Sequence, residues 1–93
     1  MDELFKRSAK IHIWFHRQSK HRATTTIEAL DDDLDLERIC RYMRRAFSCN
    51  GCVLDNNKIQ LQGDHRQAVC SWLVQEEVLT QKEAGDRIVV HGQ

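Results

Sequence analysis

Ninety-three residues form one domain, and a chain this short buries only about 60–65% of its unfolded surface, which leaves room for one sheet and one layer of helices. Apolar residues at 41% and charged residues at 30% describe a globular chain, no apolar run nears the ~20 residues of a membrane span, and Met1-Asp2-Glu3-Leu4-Phe5-Lys6 lacks the order of a signal peptide. The chain is therefore read as an intracellular protein with reduced thiols. The formal net charge of zero hides segregation: Lys6 to Arg22 is basic without an acid, Glu28 to Glu37 acidic without a base, and Arg38, Arg41, Arg44 and Arg45 follow, which gives a surface with two charge poles.

Ahead of Lys10 a short tail, residues 1–9, precedes the domain at 10–93. Ile11, Ile13 and Phe15 alternate with His12, Trp14 and His16, the period of a half-buried strand. The polar stretch "RQSKHR" is expected to be the turn of a hairpin, and the β-branched run from Thr24 to Leu30 its second strand. The hairpin tip is therefore basic, carrying Arg17, Lys20, His21 and Arg22. Leu36, Ile39, Cys40, Met43 and Phe47 make an apolar helical stripe, and the acids of Asp31 to Asp35 stand at the helix start, where the macrodipole favours negative charge. On that helix Arg38, Arg41 and Arg45 share an exposed face, with Arg44 beside them.

The helix must end after Phe47, and Asn50-Gly51 supplies residues that tolerate a left-handed C-terminal turn. Cys52 to Asp55 and Lys58 to Gln62 read as two strands joined through Asn56-Asn57, a two-residue turn with positive φ. Asp64, with Gln67 three residues on, predicts an N-cap for a second helix that buries Val69, Cys70, Leu73, Val74 and Val78. A polar connection through Gly85 leads to a last strand from Arg87 to His91. The expected fold is α+β, a single-domain ββαββαβ sandwich with two helices on one face of a mixed sheet.

Cys49 and Cys52 form a CxxC, which suits half of a zinc site or a redox pair. Zinc needs four ligands, and Cys40 and Cys70 sit on apolar helix stripes, where a thiol packs as a small hydrophobe. Redox pairs sit at helix N-termini, whereas this pair follows a C-terminus, which raises thiol pKa. No phosphate loop, GxSxG or HExxH is present, so no metal, cofactor or catalytic residue is assigned. His12 and His16, on one strand face, read as solvent-facing side chains before they read as metal ligands. Trp14 between them is an exposed aromatic that could stack on a base.

The stretches "IHI", "TTTIEALDDDLDL", "AFSCNGCV", "IQLQGDHR" and "VVHG", in this order across Lys10 to Gly92, resemble the eukaryotic translation initiation factor 1 family. The resemblance implies two helices packed on a mixed sheet and a non-enzymatic, monomeric, cytoplasmic factor without cofactor. It implies binding to the small ribosomal subunit near the P site, in support of scanning and start-codon fidelity. The tip residues Arg17, Lys20, His21 and Arg22 then face initiator tRNA and messenger, and Arg38, Arg41, Arg44 and Arg45 meet ribosomal RNA. Initiation factors 1A, 2, 3 and 5 are the implied protein partners, with no membrane. The chain has Ser19-Lys20 where eukaryotic members have Asn-Gly, a shorter loop at Asn56-Asn57 and a shorter tail, as expected of a divergent or virus-carried member with fewer factor contacts. The alternatives are the reinitiation and recycling domain of the density-regulated protein type and a small zinc or redox CxxC protein.

Overall fold

The computed structural model describes residues 10–92 apart from Asp32 and Asn56; the expected tail at 1–9 lies outside them. Two long strands open the domain, β1 (Ile11–Ser19) and β2 (Arg22–Glu28), paired antiparallel. The turn is tighter than "RQSKHR" suggests. Only Lys20 and His21 turn, and a register irregularity between Arg17 and Ser19 lets the strands continue almost to the tip. Helix α1 (Leu36–Phe47), strands β3 (Gly51–Leu54) and β4 (Lys58–Gln62), helices α2 (Arg66–Gln75) and α3 (Gln81–Arg87), and strand β5 (Ile88–His91) follow. The sheet runs β3-β4-β2-β1-β5, antiparallel except where β5 lies parallel to β1. The α+β architecture with a mixed sheet is as expected. The correction is a third helix among the described residues, where a polar connection through Gly85 was expected.

That helix forms because Thr80 and Glu83 make a capping box: the Glu83 N–H donates to Thr80 Oγ1 at 3.1 Å and the Thr80 N–H to Glu83 Oε1 at 3.0 Å. It ends at Arg87, which belongs to the helix and not to the last strand. The residue is only 2% exposed, and its guanidinium donates from Nη2 to Asp31 Oδ1 at 2.8 Å and stands 3.9 Å from Glu83 Oε2. Asp31 is thus more than part of an acidic helix start: it fastens the segment after β2 to the end of α3.

One sheet face is buried. Ile11, Ile13, Ile27, Ile59 and Leu61 form it, and Ile39, Cys40 and Met43 of α1 with Val69, Trp72 and Leu73 of α2 close over it. Together these side chains fill the interior, each contributing roughly 1.5–3 kcal/mol by burial. On α2 the buried set differs from the expected one: Trp72 takes the place of Val74 and Cys70, which are half-buried, as is Val78.

Two local expectations are corrected. The left-handed residue that ends α1 is Ser48, at φ 51° and ψ 49°, and not Asn50 or Gly51; its N–H and that of Cys49 both donate to the Arg44 carbonyl. Gly51 is needed for closeness, since a Cβ there would lie 2.7 Å from the Gln60 carbonyl oxygen and from Leu61 Cδ2. The residue capping α2 is His65, without a side-chain cap bond, while Asp64, one position earlier, accepts the Arg66 N–H at 3.4 Å and holds its guanidinium at 2.9 and 2.7 Å. The turn between β3 and β4 has Asn57 at φ 59°, the positive value expected; Asn56 lies outside the described residues.

Candidate nucleic-acid interface

The corner after α1 and the end of β4 are drawn against the base of the first hairpin by main-chain bonds. Gln62 N–H donates to the Asn50 carbonyl at 2.8 Å, and Gly63 N–H to the Ala23 carbonyl at 2.8 Å. The Thr25 hydroxyl donates to the Gly63 carbonyl at 2.7 Å and accepts from the His65 N–H at 2.9 Å. Gly63 has φ 104°, a conformation that glycine adopts without strain, and this turns the chain from β4 into α2.

These bonds create an open groove of about 710 Å³ between the hairpin tip and the end of α1. Arg17, Lys20, His21 and Arg22 form one wall and Arg44 with Ser48, Cys49 and Asn50 the other, while Gln62, Gly63 and Asp64 close one end. Arg44 stands in the last turn of α1, where a cation also complements the helix dipole. The lone acid of the lining, Asp64, is held by Arg66 Nη2 at 2.7 Å, and that guanidinium keeps its carboxyl below the ordinary carboxylate value. The groove therefore presents basic side chains together with the amides of Asn50 and Gln62, a donor set that suits phosphate oxygens.

All four tip residues expected to bind RNA lie at this groove, and Arg44 joins them. Arg38, Arg41 and Arg45 do not line it; they are exposed on α1 as a separate patch. There Arg38 Nε donates to the Tyr42 hydroxyl at 3.3 Å, its guanidinium 5.6 Å from the Tyr42 ring, and Tyr42 is itself exposed. The sequence reading missed Asn50 and Gln62 as groove residues. Their recruitment depends on β4 pairing with β2, a pairing of distant segments that no local pattern announces.

The cysteines are free thiols: Cys40 is buried, Cys49 and Cys70 are half-buried and Cys52 is exposed. Burial pushes the thiols of Cys40, Cys49 and Cys70 up, away from the reactive thiolate. Among the described residues no group of three or more His, Cys, Asp and Glu could hold a metal ion. Of the two histidines expected to face solvent, His16 is exposed and His12 is not. His12 is half-buried and its Nδ1 lies 2.8 Å from Nε2 of His91, across the parallel strand pair.

The chain matches the family model described as Translation initiation factor SUI1 over residues 7–79. It is 32% identical to the Protein translation factor SUI1 of Eremothecium gossypii, a match covering 98% of this chain and 84% of that protein. It is 34% identical to the Eukaryotic translation initiation factor 1 of Homo sapiens over 88% of this chain and 73% of the relative. The Drosophila melanogaster protein named Eukaryotic translation initiation factor eIF1 is 31% identical over 88% of this chain and 74% of its own length.

Proposed function

This chain belongs to the family of translation initiation factor SUI1 and is a translation initiation factor; from that premise we propose that it binds the small ribosomal subunit near the P site, supports scanning and opposes initiation at mismatched start codons. The observation that carries this reading is the groove, where cations from two distant segments converge with Asn50 and Gln62 and the one carboxylate is neutralised by Arg66. Such a surface recognises the nucleic-acid backbone without base preference, which suits a factor that must hold its place while the messenger moves.

Arg17, Lys20, His21, Arg22 and Arg44 engage RNA phosphates in this reading, with initiator tRNA and messenger beyond the tip. The exposed patch of Arg38, Arg41 and Arg45 makes a second contact with ribosomal RNA. The factor works in the cytoplasm, as a monomer, by occupancy and not by catalysis; initiation factors 1A, 2, 3 and 5 are its protein partners. Among the described residues no helix is long and apolar enough to cross a membrane.

Co-sedimentation with small ribosomal subunits tests the binding, and a reporter pair starting at UUG or AUG tests the role. Replacing Arg17, Lys20 and Arg22 with Glu is expected to weaken sedimentation and raise the UUG-to-AUG ratio in a translation system that depends on this factor. Weaker binding with an unchanged ratio defeats the start-codon role.

A further inference from the structure

The sheet face away from the helices carries a row of side chains that crosses all five strands, and its residues can be read from the pairing registers. His91 of β5 pairs with Trp14 of β1, Trp14 with Thr26 of β2, Thr26 with Gln60 of β4, and Gln60 with Cys52 of β3. In the next row towards the hairpin tip, His16 pairs with Thr24 and Thr24 with Gln62. The helices gather on the opposite face, so Trp14 remains 41% exposed in a field of small and polar neighbours.

Trp14 is held firmly. Its ring lies parallel to His91, with centroids 3.7 Å apart and planes 8° from each other, and His91 is in turn tied to His12. The Glu28 carboxylate on the same face is ion-paired with Lys58 at 2.9 Å. The His12 ring is also near, its centroid 6.2 Å from Trp14 and 5.1 Å from His91, which places it on the His91 side; among the described residues no other ring or guanidinium stacks on Trp14. A large aromatic fixed in one orientation, with Thr26 and Gln60 in line beside it at strand spacings of about 4.8 Å, gives a base both a stacking plane and hydrogen-bonding groups at its edge. The acid on this part of the face, Glu28, is already neutralised, so little opposes an approaching phosphate chain.

We infer that Trp14 is the stacking platform of a single-stranded RNA site on the open sheet face, continuous with the basic groove. Gln62 makes the connection, because it lines the groove and also stands in the His16–Thr24–Gln62 row of this face. An RNA strand with phosphates in the groove passes Gln62 and places an unpaired base on Trp14. The inference rests on the reading above for RNA as the groove's partner, and it adds a contact to bases, which phosphate binding alone does not supply.

The test uses the full chain and a labelled ten-nucleotide oligouridylate, with an RNA duplex of equal length as comparison, titrated by fluorescence anisotropy at several salt concentrations. Trp14→Ala is expected to weaken single-strand binding by about 5- to 150-fold, the range for loss of one stacked base, and to leave duplex binding unchanged. The slope of log affinity against log salt should stay the same, since a neutral stack releases no counterions, and Trp14→Phe should remain within about threefold of the original chain. Arg22→Glu should do the reverse and reduce the slope. In a Trp72→Phe chain, Trp14 is the remaining tryptophan, and its emission should be quenched on titration with the same midpoint, a readout independent of whether Trp14→Ala folds. Absent quenching, a Trp14→Ala effect below twofold, or equal weakening for single strand and duplex each overturns the inference. Sedimentation of the tip variant with ribosomal subunits decides the proposed function separately.

Discussion

Arg22 and Arg44 are far apart in sequence yet face one groove, while Arg41, three residues from Arg44, lies outside it. Salt dependence of binding can read this difference. Each Arg or Lys that neutralises a phosphate contributes about 0.7–0.9 to the slope of log affinity against log salt. The groove holds four Arg and Lys side chains, Arg17, Lys20, Arg22 and Arg44, so complete engagement gives it a slope of about −2.8 to −3.6. Replacing Arg22 and Arg44 with Ala should reduce the magnitude by about 1.4–1.8; between 50 and 200 mM salt that makes the variant about 7- to 12-fold less salt-sensitive. Because both side chains act on ligand in the same groove, their effects should couple by about 0.5 kcal/mol or more in a double-mutant cycle, whereas Arg22 and Arg41 should add to within about 0.3–0.5 kcal/mol. The assay is equilibrium binding of fluorescent protein to small ribosomal subunits across a potassium chloride series at fixed magnesium. An unchanged slope, or coupling of Arg22 to Arg41 as strong as to Arg44, refutes the groove as the phosphate contact.

The buried Arg87 gives a stability test. Arg87→Met leaves Asp31 and Glu83 able to rehydrate, since their side chains are 41% and 36% exposed, so the cost should fall below the usual buried-pair range, at roughly 1–3 kcal/mol. Asp31→Asn removes the carboxylate charge 2.8 Å from a guanidinium that stays buried and should cost more; the opposite order in urea denaturation contradicts the assigned burial. Purified protein should show four thiols with Ellman's reagent once denatured, with Cys52 reacting first in the folded state and Cys40 last; stoichiometric zinc would overturn the packing role of Cys40. The Lys58 ammonium bonded to Glu28 lowers the Glu28 pKa from its ordinary 4.5. A lowered carboxyl stabilises the fold above the unfolded value and loses that contribution as pH falls through the folded one. Hence the stability gap between the original chain and Lys58→Met should be constant near neutrality and shrink below about pH 4.5, where a constant gap would exclude this linkage.

Legibility followed the range of the interactions. Helix α1 was visible because its apolar stripe, its acidic start with Asp35 bonding the Arg38 N–H, and its basic end all agree within twelve residues. Strand β1 was visible from simple alternation. Helix α3 was overlooked although Thr80-x-x-Glu83 announces a capping box, because its seven residues carry no apolar stripe. Asp64 is expected as the cap on good local grounds, and its carboxylate does accept the Arg66 N–H at 3.4 Å as well as the Arg66 guanidinium, but the helix starts one residue later than that reading places it, with the His65 N–H held by Thr25 of the distant strand β2. Ser48 shows the same limit from another side, since nothing in its side chain favours the left-handed conformation over Asn50 or Gly51.

Legibility of the candidate site divides along the same line. The identities of its cations are a matter of composition, and the tip residues stood out at once. Which cations cooperate is a matter of sheet order. Arg44 reaches the hairpin because Ser48 turns the chain one residue after α1 and Gly51 allows β3 to close against β4. Pairing of β4 with β2 then brings Asn50 and Gln62 to the base of the tip. The hydrogen bonds that join corner, β4 and hairpin run through main-chain atoms and the Thr25 hydroxyl, so the groove walls are set largely by backbone geometry while the charges at the rim stay exposed and hydrated. A surface built in this way holds its shape before RNA arrives, and the ordering that binding requires falls mainly on long exposed side chains, where electrostatic attraction can offset it. The same frame sets Trp14 at a constant distance from the groove, since both depend on β1 and β2. Phosphate contact and base contact are therefore coupled through the sheet, and one strand of RNA can use the two only if its path matches that fixed spacing.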